Sequence, residues 1–389
     1  MTTITRTGID EILERAVADG DVPCVAAIAA DRDGLIYEGA AGPRVAGTEE
    51  PIRVDTHLRI MSMTKMIGTT VALQLVEQGK LDLDAPVERY RPEFAEVQVL
   101  DGFDGDVPRM RAPASQATVK QLVTHTSGLS YWFFSPEIVK WEAATGVPNV
   151  LSGQNAIFKA PMLFDPGTRF EYGINIDWLG KVIEAAGGKG FDQAIADGVT
   201  GPLGMNETAF VMSDAQRANS IPVHVKGEDG AWMATDIDLV QQPEYWAGGH
   251  GLHSTPRDYM KFQRMLLGNG TSPDGVKILE SATVDAAFTN QIGDLDFPAE
   301  LTTADPTASC DFNAGPGFKW GYGLLLNTED IPGARRAGTG AWAGLLNTHF
   351  WVDRTAGITA AIYSQTLPFG TEPALQMYQA FEGAVYASL

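Results

Sequence analysis

The chain has 389 residues, 44% hydrophobic and 20% charged, a composition that supports an ample core and excludes disorder. A net charge of −21 and a pI near 4.6 argue against nucleic acid and anionic membranes as partners, because phosphate groups would be repelled over most of the surface. Its 2 cysteines, Cys24 and Cys310, give no disulfide framework and match a reducing compartment.

Ile9, Ile12, Leu13 and Ala16 recur at helical spacing near the N-terminus. No continuous apolar run marks a signal peptide or a membrane span, so a cytoplasmic location is expected. Apolar runs at 24–30 and 35–40, split by Asp31-Arg32-Asp33-Gly34, predict a hairpin. Met66, Ile67, Val71, Leu75 and Val76, closed by Gly79, predict a helix over 62–78. Ser62 and Lys65 at its start are three residues apart and share a face. That pairing can turn a serine into a nucleophile, although Ser62 taken alone reads more readily as a helix N-cap.

The interior, about 65–320, alternates short helices with Pro- and Gly-rich loops, notably 101–113 and 295–317, and long ordered loops usually carry function. Tyr172 sits at a loop-to-helix junction ahead of Trp178, Leu179, Val182 and Ile183. A phenol, with an ordinary pKa near 10, acts as a base near neutrality only if a cation stabilises the phenolate, and Lys65 is the candidate. His250 and His253 lack the glutamate and third ligand of a zinc helix, so no metal is expected. Small residues from Ala337 to Leu345 let a substrate approach an edge strand whose free N–H groups could hold an oxyanion; otherwise they form a glycine-rich turn. Strands at 348–352 and 358–364 with a turn at 353–357, then an amphipathic helix over 372–387, complete the chain.

Two hairpins and two terminal helices predict an α+β fold: an antiparallel sheet from 1–64 and 320–389, flanked by the terminal helices, with an inserted, mainly helical subdomain over 65–319. The active site is expected in the cleft between them. The chain carries no Gly-x-x-x-x-Gly-Lys loop and no strand-linked Gly-x-Gly-x-x-Gly, so no cofactor is expected, and the absence of Gly-x-Ser-x-Gly removes the usual esterase elbow.

In chain order, Ser62-x-x-Lys65, Leu122-Val123-Thr124-His125-Thr126-Ser127-Gly128-Leu129, Pro202-Leu203-Gly204-Met205, Gly248-Gly249-His250-Gly251 and Trp342-Ala343-Gly344 before Phe350-Trp351-Val352-Asp353 resemble the serine β-lactamase and penicillin-binding superfamily. Within it they look like the class C-like branch that contains the family VIII carboxylesterases. The resemblance implies that Ser62 is the nucleophile, Lys65 its proton acceptor, and Tyr172 the base or proton shuttle. It implies an oxyanion hole from the backbone N–H groups of Ser62 and Leu345, worth about 3 kcal/mol per donor. Trp342 stands where β-lactamases carry the Lys of Lys-Thr-Gly, which favours apolar, uncharged substrates over anionic ones. Asn175 is counted among the substrate-binding residues by this resemblance, although it stands one residue beyond the Tyr-x-Asn position, a rotation of about 100° on a helix that turns it away from the place of an amide ligand. In this setting Tyr131 and Trp132 are expected to wall the substrate pocket with Trp342, Ala343 and Gly344, leaving Phe133 and Phe134 as packing. The function implied is a serine carboxylesterase for small to medium, uncharged esters, with a β-lactamase, a D-Ala-D-Ala peptidase or an acyltransferase as alternatives. Its partner would be a small-molecule ester; the oligomeric state is not implied.

Overall fold

The computed structural model describes residues 6–388. Seven strands form one antiparallel sheet: β1 (Val25–Asp31), β2 (Leu35–Ala41), β3 (Phe318–Trp320), β4 (Leu325–Asn327), β5 (Gly340–Gly344), β6 (Thr348–Asp353) and β7 (Ile358–Tyr363). Their order is β3-β4-β5-β6-β7-β1-β2, so the N-terminal hairpin completes a sheet begun by the C-terminal strands. Both predicted hairpins are present, and each turn is held by an aspartate. Asp31 accepts from the N–H groups of Asp33 and Gly34, and Asp353 accepts from Ala356 N at 2.7 Å, side-chain bonds that stabilise a reversal of the chain.

The central strands β1, β6 and β7 are buried on both faces because both are covered. Val25, Ala27, Ala29, Trp351 and Ile362 pack against α1 (Arg6–Ala18) and the last helix, α5 (Glu372–Tyr386), while Ala26, Ile28, Phe350 and Ala361 belong to the core of the opposite face. That second face is covered by α4 (Pro256–Leu267), through Tyr259, Phe262 and Leu266. The result is the expected α+β arrangement, with the sheet as the middle of three layers.

The interior of the chain contributes α2 (Thr64–Glu77) and α3 (Asn175–Gly187), which pack on each other. Residues 101–113, expected to be a long loop, instead form most of a hairpin, Val99–Asp104 with Val107–Arg111. The missed signal is the two-residue turn Gly105-Asp106, with Gly105 at φ +63°. The segment 295–317 runs as a strap over the rim of the sheet, stiffened by a short pairing of Glu300–Leu301 with Phe312–Asn313. Among the described residues no helix is long and apolar enough to cross a membrane.

Phe381, fully buried between α5 and the sheet with its ring 5.7 Å from that of Trp351, should carry much of this layer's stability. Phe381→Ala is expected to lower the unfolding free energy by about 3–5 kcal/mol in urea titration; a loss below about 1 kcal/mol would contradict this packing.

Candidate active site

Three segments converge on Ser62. The first is the turn Met61–Met63, a single 3-10 turn that runs straight into α2. Met61 adopts φ +48°, a left-handed conformation in a residue with a Cβ, and such strain concentrates at functional sites. The helix therefore starts two residues later than predicted, and Ser62 does not cap it: the cap position has no side-chain hydrogen bond. Its Oγ lies 3.1 Å from Lys65 Nζ.

Lys65 is 1% exposed. Its Nζ contacts Ser62 Oγ, the Tyr131 hydroxyl at 3.0 Å and the Gly249 carbonyl at 2.8 Å. It also lies 4.6 Å from the centre of the Tyr172 ring and 5.0 Å from that of Tyr131. Those rings favour the cation, and so does the Asp177 charge, but burial outweighs them and brings the amine down to about 7. An uncharged amine has a lone pair to accept the Ser62 proton.

The second segment places Tyr172. The loop from Thr124 to Leu129 pins it: the His125 carbonyl accepts from Glu171 N at 2.8 Å, and the His125 ring lies 4.9 Å from that of Tyr172. A Cβ on Gly173 would sit 2.3 Å from the Leu129 carbonyl oxygen, so only glycine permits this approach. The Tyr172 hydroxyl accepts from the Trp342 indole at 3.1 Å. The expectation of a Lys65-stabilised phenolate is corrected here. Burial raises the Tyr172 phenol, the Ser62 and Trp342 contacts oppose that only in part, and so it stays protonated near neutrality.

The third segment is the end of β5. A Cβ on Gly344 would come within 2.5 Å of the Ile60 carbonyl and 3.1 Å of the Met61 Cβ. This contact presses the strand against the Ser62 turn and brings Leu345, the next residue, to the wall of the same cavity as Ser62.

The cavity is about 480 Å³. Trp342, Ala343, Gly344 and Leu345 line it, but so do Phe133 and Phe134 rather than Tyr131 and Trp132. The pocket assignment within the aromatic run is thus corrected. Tyr131 turns inward to Lys65, and the Trp132 indole donates to Asp305 at 3.1 Å, tying down the strap. Asn175 is also corrected as a substrate-binding residue. It is fully buried, its amide bonded to Ser127, to His125 Nδ1 at 2.9 Å and to the Leu129 carbonyl at 3.3 Å, so it holds the loop that pins Tyr172.

Asp177 escaped the sequence reading, and Gly249 entered it only as part of a motif, without a role. Asp177, buried in the first turn of α3, accepts from Gly249 N at 3.0 Å, and Gly249 O accepts from Lys65. Burial raises the Asp177 carboxyl while Lys65 lowers it. The Gly248-Gly249 pair was visible, and a Cβ on Gly248 would sit 2.4 Å from the Ile176 carbonyl; its pairing with a carboxylate is a product of the fold alone. His250 and His253 are both buried, and His253 faces Asp238 at 3.8 Å; among the described residues no group of three metal-binding side chains is assembled.

If the close fit of Gly344 aligns Leu345 with Ser62, Gly344→Ala should slow labelling of Ser62 by a fluorophosphonate about tenfold or more while leaving far-UV circular dichroism unchanged. Labelling at the unaltered rate would contradict that role.

A family model described as Beta-lactamase matches residues 9–384. Lovastatin esterase of Penicillium rubens is 31% identical over 396 residues, 97% of this chain and 98% of its own. Monacolin J acid methylbutanoyltransferase of Aspergillus terreus is 30% identical over 407 residues, 97% of this chain and 95% of its own. The solved structure of an Aspergillus terreus simvastatin synthase, the LovD6 mutant, superposes with a TM-score of 0.85 at 28% identity, covering 97% of this chain and 96% of that one. The sheet, Ser62 beside the buried Lys65, and these matches together make the chain a member of the β-lactamase family, within the class C β-lactamase and penicillin-binding-protein-like superfamily of serine hydrolases.

Proposed function

We propose that the chain is a serine carboxylesterase that cleaves uncharged, mainly apolar esters through an acyl-Ser62 intermediate. The observation that carries this reading is Lys65, an amine brought to about 7 by burial and held 3.1 Å from the Ser62 hydroxyl. In the proposed mechanism neutral Lys65 takes the Ser62 proton as Oγ attacks the ester carbonyl. The negative oxygen that forms is held by the N–H groups of Ser62 and Leu345. The protonated Tyr172 hydroxyl then hands a proton to the departing alkoxide and is reprotonated from Lys65. Water repeats the sequence in reverse and releases the acid.

The walls support an uncharged substrate. Phe133, Phe134 and Trp342 line the same cavity as Ser62, and such surfaces favour apolar groups. The committed amide of Asn175 disfavours the β-lactam and D-alanyl-D-alanine alternatives, whose substrates carry an amide and an anion. Relatives named as an esterase and as a methylbutanoyltransferase, both spanning nearly the whole chain, support the acyl-enzyme and favour a second reading in which an alcohol replaces water as acceptor. The two unpaired cysteines support the cytoplasmic proposal.

Ser62→Ala should lower p-nitrophenyl butyrate hydrolysis by ~10³-fold or more and abolish the acyl adduct seen by intact mass spectrometry, with slow nitrocefin turnover by the wild type. Undiminished ester cleavage in the variant, or nitrocefin turned over faster than the ester, would overturn the reading. Added short-chain alcohol that diverts the acyl group into a new ester would favour the transferase.

A further inference from the structure

The cavity does not end at the catalytic side of the sheet. β4 pairs with β5 only at Gly340 and Ala341, so residues 342–344 form a free edge. Along that edge successive side chains alternate between faces. Trp342 lies opposite Phe350 and packs in the core on the Ser62 side. Ala343 lies opposite His349, whose ring stacks on Tyr378 of α5 with centroids 4.4 Å apart. Yet Ser62, Trp342, Ala343, His349 and Tyr378 line one continuous cavity. The space therefore passes around the edge of β5, from the catalytic face to the face covered by α5.

Two further observations define this rear space. The strap roofs it: Leu301 and Phe312, paired across the strap, both line the cavity. The strap is fastened over the site by Ala304 N to the Phe133 carbonyl at 2.8 Å and by the Trp132 indole to Asp305. At the far end Arg335 meets Glu382 at 2.6 Å, both largely buried, so the charges there are mutually compensated.

We propose that this rear compartment binds the distal arm of the substrate, which is an elongated ester, uncharged and apolar along the arm that rounds the edge of β5. A flexible chain can make that turn; a compact bulky acid or alcohol cannot. This inference rests on the ester-cleaving reading and adds chain length as a determinant of specificity. The Arg335–Glu382 ion pair is net neutral, which favours an uncharged arm over a carboxylate-terminated one.

The test uses Gly383→Leu. Gly383 lies on α5, lines the cavity, and an added Cβ meets nothing within 4 Å, so a leucine there starts in open space at the cavity wall, adds bulk to it and improves helix propensity. The expected result is a drop of about tenfold or more in kcat/KM for a long ester, with p-nitrophenyl acetate within about twofold of wild type. A long acyl arm is read with p-nitrophenyl decanoate, and a long alcohol arm with decyl acetate against ethyl acetate. Labelling of Ser62 by a decyl fluorophosphonate, which needs no turnover, should slow in parallel while ethyl fluorophosphonate labelling does not. Equal effects on long and short reagents, or none on either, would overturn the rear compartment alone. Failure of the wild type to cleave any ester, with the chain-length effect on labelling intact, would instead count against the ester-cleaving reading.

Discussion

The burial of one amine governs the site. Lys65 lies on the first turn of α2 with its ammonium position enclosed by Ser62, the Tyr131 hydroxyl and the Gly249 carbonyl. In water such a group is charged and useless as a base; without solvent the charged form is penalised, and the neutral form becomes accessible near neutrality. The Asp177 charge restrains that tendency, and the same carboxylate anchors Gly249, whose carbonyl accepts from Lys65. The rest of the fold holds this arrangement closed: α3 brings Asp177, the His125 loop brings Tyr172, and β5 seals the side toward Leu345.

The seal explains why the sheet and the helical segments meet where they do. Gly344 is pressed against Ile60 and Met61, and Gly173 against Leu129 and Ser130. Gly173 meets only backbone atoms, and Gly344 meets the Ile60 carbonyl as well as the Met61 Cβ and the Thr348 hydroxyl, approaches that leave no room for a side chain. They fix Leu345 and Tyr172 relative to Ser62 without depending on flexible side chains. A site built this way tolerates little displacement, as transition-state stabilisation requires.

Much of this was legible in the sequence, for identifiable reasons. Apolar runs split by Asp/Gly turns marked both hairpins of the sheet, and the spacing of Ser62 and Lys65 on one helix face was geometric. Tyr172 and Trp342 followed from the resemblance and do meet, indole to phenol. What could not be read were the long-range choices. Four consecutive aromatics give no clue to which pair faces inward; a bond from Lys65 turns Tyr131 in, and the Trp132 indole donates instead to Asp305. Asn175 looked like a substrate ligand displaced by one position, but its partners lie almost 50 residues away, in the Ser127 loop. The phenolate expectation failed because sequence does not report desolvation, which acts on Tyr172 and Lys65 in opposite directions.

The account stands or falls on Lys65 being the base. The most direct measurement is the pre-steady-state rate of Ser62 acylation by an activated ester between pH 5 and 10. A neutral Lys65 predicts a rate that is level above neutrality and falls tenfold per unit as pH drops below about 7. A rate that keeps climbing through pH 9, as a tyrosinate base would require, or one that is flat across the whole range, would contradict it.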